Sequence, residues 1–153
     1  MHDPHDLQRF VVAQEDDYQR ALAELASGRK RTHWMWYIFP QLDGLASSAT
    51  SKRFAIKSVE EAQAYLAHPI LGPRLVQCAE AVLSVEGQSA NAIFGTPDDL
   101  KLQSSATLFA AVLTPGSVFE RVLTQYFAGA RDGGTLRLLA QLQQADTATH
   151  DRE

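Results

Sequence analysis

The chain has 153 residues, 45% of them apolar, and a formal charge of -4 at neutral pH; that length suits one domain burying roughly two thirds of its unfolded surface. The acidic balance argues against broad attraction to nucleic acid, and a lone cysteine, Cys78, in apolar surroundings excludes an internal disulfide and points to a reducing compartment. No apolar run reaches the roughly 18 residues that span a bilayer, and the opening MHDPHDLQRF is polar and acidic, so the expected setting is cytoplasmic, without a membrane partner.

In chain order, Leu7, Phe10, Val11, Tyr18, Ala21, Leu22 and Leu25 recur at steps of three, four and seven and predict one amphipathic helix. Asp3-Pro4 supplies its cap and first-turn proline, and Gly28 its stop. Thr32 is placed to cap a short helix from His33 to Phe39, ended by Pro40; a strand is the rival, because WMWYIF is rich in β-favouring residues. Gly44 to Phe54 reads as a flexible loop with the composition to cradle an anion. Ser58 with Glu61 forms a capping box before Ala62 to Ala67, His68-Pro69 ends that helix, and Gly72-Pro73 opens another through Val85. Thr96-Pro97-Asp98-Asp99 caps Leu100 to Leu113, Ser117 with Glu120 begins Val118 to Phe127, and Thr135 leads a final helix carrying Leu136, Leu138, Leu139 and Leu142. Sustained apolar-polar alternation is missing. The predicted class is all-α: a compact single-domain bundle of about seven short helices over residues 1–146, with 147–153 a polar tail expected to be disordered.

The densest chemistry lies in GRKRTHWMWYIFPQLDGL, Gly28 to Leu45, where Arg29, Lys30 and Arg31 precede a histidine, both tryptophans and two further aromatics. Ring faces beside cations suit a flat, phosphorylated ligand, yet the same residues can fill a core. On a helix Trp34 and Ile38 share a face, Met35 and Phe39 its neighbour, and Trp36 lies roughly opposite, so Trp36 decides between the two. Lys52, Arg53 and Lys57 add to the basic patch, whose ordinary fate is a solvated face. His33 is the histidine best placed for proton transfer. No second histidine or cysteine stands at ligand spacing to it, so neither a metal nor a cofactor is expected.

A second segment, IFGTPDDLKLQSSATLF from Ile93 to Phe109, places Asp98, Asp99 and Lys101 in the first turns of a helix, where free amides favour anions. Asp99 suits a cap. Lys101 shares a stripe with Ser104, Ser105 and Leu108, a polar face that a ligand would explain. G-x-S-x-G, Walker and G-x-G-x-x-G signatures are all missing, which disfavours triad hydrolysis, ordinary ATP hydrolysis and dinucleotide oxidoreduction.

DLQRFVVAQ, GRKRTHWMWYIFPQLDGL, LGPRL, IFG-PDDLKL-SS-TLF and the region Leu123 to Asp132 together resemble a bacterial family, domain of unknown function 1810, over nearly the whole chain. The resemblance implies a compact helical domain in cytosolic settings and no established activity. Members often carry the label calpastatin, but inhibitors of that type are disordered repeat chains, and no repeat is present here. A looser analogy links the chain to small helical domains proposed to process NAD-derived or ADP-ribose compounds; fold analogy alone does not carry function.

The expected site unites His33 and Asp99 as catalytic candidates with Arg31, Trp36, Gln41, Lys52, Lys101 and Ser105 as ligand-binding ones. It would bind, and if an enzyme hydrolyse or transfer, a small phosphorylated or nucleotide-like ligand such as an NAD or ADP-ribose derivative. The alternative is a non-enzymatic regulatory or protein-interaction module, with a homodimer as one form of it; nucleic-acid binding ranks third.

Overall fold

A computed structural model describes residues 3–151, with side chains through residue 145. His2, residues 152–153 and the side chains of the rest of the expected tail at 147–153, that of His150 included, lie outside that set; helical backbone is described as far as Asp151. Among the described residues the chain forms ten helices and no strand: α1 (Gln8–Gln14), α2 (Tyr18–Ala26), α3 (Met35–Ile38), α4 (Ala49–Arg53), α5 (Val59–Ala67), α6 (Leu71–Leu83), α7 (Ala90–Phe94), α8 (Asp98–Ala111), α9 (Val118–Phe127) and α10 (Gly133–Asp151). The all-α expectation holds, and the count exceeds the expected seven by three.

Each extra helix has a local cause. The single helix predicted from Leu7 to Leu25 breaks at three adjacent acidic residues, Glu15 to Asp17, and the break leaves the Asp17 carboxylate free to accept from the Tyr37 hydroxyl and pair with Arg20. The tract read as a loop contains α4, because the Ser48 hydroxyl accepts from the Ser51 amide at 3.1 Å. Ser89 caps α7 in the same way, accepting from Ala92 at 3.0 Å, and Gly95, at φ 73°, ends that helix. The expected serine caps form, Ser58 accepting from the Glu61 amide and Ser117 from that of Glu120, but the reciprocal half of the Ser58–Glu61 box is displaced by one residue: the Glu61 carboxylate accepts from the Lys57 amide, as that of Glu120 does from Gly116.

The core is organised around α8, which buries Leu102 and every residue from Ser104 to Ala110 against α7, α9 and α10. On its far side α9 packs on α6, which also carries α2 and α5. A run of aromatic contacts joins four elements: Phe10 meets Tyr65 edge-on at 5.1 Å, Tyr65 meets Phe109 at 5.6 Å, and Phe109 meets Phe119 at 5.5 Å. Arg9 fastens α1 to the α4–α5 connection, donating to the Arg53 carbonyl at 2.7 Å, to that of Ala55 at 2.9 Å and to the buried Glu61 carboxylate at 2.6 Å. Leu42 and Ile56 form an isolated parallel bridge that holds the segment after α3 against that connection. No described helix is long and apolar enough to cross a membrane.

Two outcomes follow from the packing. A Cβ on Gly72 would stand 2.1 Å from the Leu66 carbonyl oxygen, a backbone atom that cannot swing aside, so Gly72→Ala should lower unfolding free energy by about 3 kcal/mol in urea titration. Cys78 is buried on α6, and burial pushes its thiol up to about 12; a thiol reagent at pH 8 should label the native protein far more slowly than the urea-unfolded chain.

Candidate functional site

The site begins where α2 ends. Gly28 takes φ +76° to leave the helix, and the chain then runs without regular structure beside α7, with the Lys30 amide donating to the Ile93 carbonyl at 2.8 Å. Arg29 and Arg31 are exposed on this stretch, while Lys30 turns inward with only 7% of its side chain accessible. The turn is held from beneath by Glu24, a buried carboxylate on α2. Its oxygens accept from the Arg31 amide at 2.7 Å, the Thr32 amide at 3.0 Å, the Thr32 hydroxyl at 2.6 Å and the Trp34 indole at 3.0 Å. Burial alone would raise the pKa of Glu24, but these bonds outweigh it and bring the group down to about 2.

The turn delivers Lys30 to the start of α8. Its ammonium lies 2.8 Å from one oxygen of Asp98, and the Lys101 ammonium lies 3.0 Å from the other. Lys101 also sits over the Trp36 ring, 4.1 Å from its centroid, and Lys30 over the Trp34 ring at 5.0 Å. Desolvation works to raise the pKa of Asp98, yet the two ammonium groups hold it below the usual carboxylate range. His33, Tyr37 and Thr50 complete the walls of a cleft of about 170 Å³. On another side of Trp36 lies a smaller hollow of about 10 Å³, lined among others by Gln41, Leu42, Leu45, Ser51 and Phe54.

Of the residues singled out in sequence, the cleft brings together His33, Trp36 and Lys101. The others stand elsewhere. Arg31 is exposed, its amide engaged by Glu24. Lys52 is exposed on α4. The Asp99 carboxylate accepts from Asn91 at 3.3 Å and from the Leu100 amide at 2.9 Å. Gln41 belongs to the smaller hollow, and Ser105 is buried on α8 without lining either space. The aromatic block divides as its spacing suggested: Trp34, Met35, Ile38 and Phe39 are buried, and Trp36 and Tyr37 are half-buried. Sequence reading missed Lys30 as an inward cation, Asp98 as its partner and Thr50. The Asp98–Lys101 spacing of three was a visible signal for one of the two ion pairs, while nothing local marked Lys30.

Among the described residues no three His, Cys, Asp or Glu side chains group as metal ligands. Glu24 yields a pH prediction. Because its folded pKa lies below the ordinary 4.5, its contribution to stability is complete above that value and is lost as pH falls from about 4.5 to about 2. Urea midpoints measured across that range should fall more steeply for the wild type than for Glu24→Gln. At neutral pH, Glu24→Ala, which strands four donors, should cost about 3 kcal/mol.

No curated protein matches the chain. Among solved structures, the conserved hypothetical protein Rv1873 from Mycobacterium tuberculosis is similar at 53% sequence identity with a TM-score of 0.89, the match covering 90% of this chain and 99% of that one. The family model described as protein of unknown function (DUF1810) matches residues 4–139, and the chain belongs to that family.

Proposed function

We propose that the cleft between the Lys30 turn and α8 binds a compact phosphorylated or nucleotide-like ligand, with NAD and ADP-ribose derivatives as one source of such groups. The observation that carries this reading is the placement of two ammonium groups, one carboxylate and a half-buried indole on one small open cleft. Lys30 and Lys101 supply two positive charges and Asp98 one negative, leaving an excess of one positive charge to attract an anion. The Trp36 ring offers a surface for a flat or sugar-like group, and His33 and Thr50 add polar contacts at the walls. Ligand pockets for drug-sized molecules commonly span about 300–1,000 Å³, so a cleft of about 170 Å³ suits one phosphorylated fragment better than an entire dinucleotide.

Binding is better supported than bond breaking. A carboxylate held low by two ammonium groups is a weak base, which suits Asp98 to orienting the lysines more than to proton transfer. A hydrolytic or transfer step in this cleft would rely on His33 for the proton and on the lysines for developing charge.

Calorimetric titration with inorganic phosphate and ADP-ribose tests the proposal. At least one should bind the wild type, and Lys101→Met should weaken that binding by roughly tenfold, the loss of one charge-assisted hydrogen bond. Asp99→Asn should bind as the wild type does. Concentration-dependent association with no response to either compound would instead favour an interaction module.

A further inference from the structure

A second open groove, of about 380 Å³, lies between the turn that precedes α1 and the α4–α5 connection, and it shares no lining residue with the lysine cleft. That volume falls within the about 300–1,000 Å³ usual for small-molecule sites. Arg9 and Glu61 form its buried base, with 11% and 3% of their side chains accessible. All five N–H donors of Arg9 are taken, by the carbonyls of His5, Asp6, Arg53 and Ala55 and by one Glu61 oxygen. The other Glu61 oxygen accepts from the Lys57 amide at 3.0 Å. The base is therefore neutral and already satisfied, and its single guanidinium fixes the backbone of both walls, Asp6 on one and Arg53 on the other.

The side chains of those two residues remain free. Both are exposed, and among the described residues neither the Asp6 carboxylate nor the Arg53 guanidinium takes part in a hydrogen bond or an ion pair; the guanidinium only lies over the Phe54 ring, 5.2 Å from its centroid. Asp6 holds φ 50°, a left-handed conformation that aspartate and asparagine tolerate better than most residues. Lys57, half-exposed, is already shared between the Asp43 carboxylate at 3.3 Å and the Lys52 carbonyl at 3.1 Å. The groove thus presents to solvent one cation and one anion that do not pair with each other, on backbone held in place before any ligand arrives.

We propose that this groove binds a small zwitterion, a free α-amino acid or short peptide, whose carboxylate accepts from the planar fork of Arg53 and whose ammonium donates to Asp6. An anion alone would meet Arg53 and be opposed by Asp6, and a cation alone the reverse. The Pro4 ring and the His5 imidazole complete the wall on the Asp6 side.

Calorimetric titration with alanylalanine, its N-acetyl form and its C-terminal amide tests the site. The unmodified dipeptide should bind the wild type about tenfold more tightly than either derivative, each of which lacks one of the two charges. Arg53→Met should bring the dipeptide down to the affinity of its amide. Asp6→Asn, which keeps a residue suited to the left-handed backbone, should bring it down to that of the N-acetyl form. Both variants should melt as the wild type does, because the carbonyls that Arg9 holds are unchanged. Equal affinity for the three compounds, equal affinity of the dipeptide for the wild type and either variant, or no binding of the dipeptide overturns the proposal. An N-acetyl form as tight as the unmodified dipeptide also overturns it, and identifies a plain anion site at Arg53.

Discussion

Four donors converge on the Glu24 carboxylate, and they come from three residues within the span Arg31 to Trp34. The bonds pin a stretch of irregular backbone to α2 at the point where it would otherwise be free to swing. Pinned there, the chain sends Lys30 inward and begins α3 with Trp34 already seated in the core. A buried carboxylate is expensive when left alone, and here the donors that relieve its cost are the groups whose positions fix the cleft. Stability and site geometry thus rest on the same atoms.

The opposite wall is set by α8. Because that helix buries almost all of its second half in the core, its first turn is held firmly at the surface, and Asp98 and Lys101 project from it one turn apart on a common face. The turn below brings the first lysine to that pair, and Trp36 brings the ring that stacks on the second. The aromatic contacts through Phe10, Tyr65, Phe109 and Phe119 tie α1, α5 and α9 to the same helix, so both walls are anchored in one continuous core.

What was legible in the sequence was what short-range chemistry dictates. Ser58 with Glu61 and Ser117 with Glu120 announce helix starts within four residues, and the periodicity of Trp34, Met35, Ile38 and Phe39 separates them from Trp36 without help from the rest of the fold. The break at Glu15 to Asp17 escaped because the step of seven from Val11 to Tyr18 keeps its phase across it. The caps at Ser48 and Ser89 escaped because small hydroxylated residues look the same in a loop. Asp99, although it suits a cap, was named as the catalytic carboxylate, since nothing within the helix itself separates it from Asp98. The partner that distinguishes them, Lys30, lies 68 positions earlier in the chain, and only the tertiary structure makes the pair. By the same reasoning three adjacent cations looked alike, although the middle one has left the surface.

Asp98 also gives the cleft an occupant of its own. Any simple anion arriving between the two ammonium groups meets an intramolecular rival already seated there, the Asp98 carboxylate. Chloride and free phosphate therefore meet one net positive charge in the cleft instead of two. In the binding role proposed for the cleft, discrimination then passes to shape and to neutral contacts more than to charge.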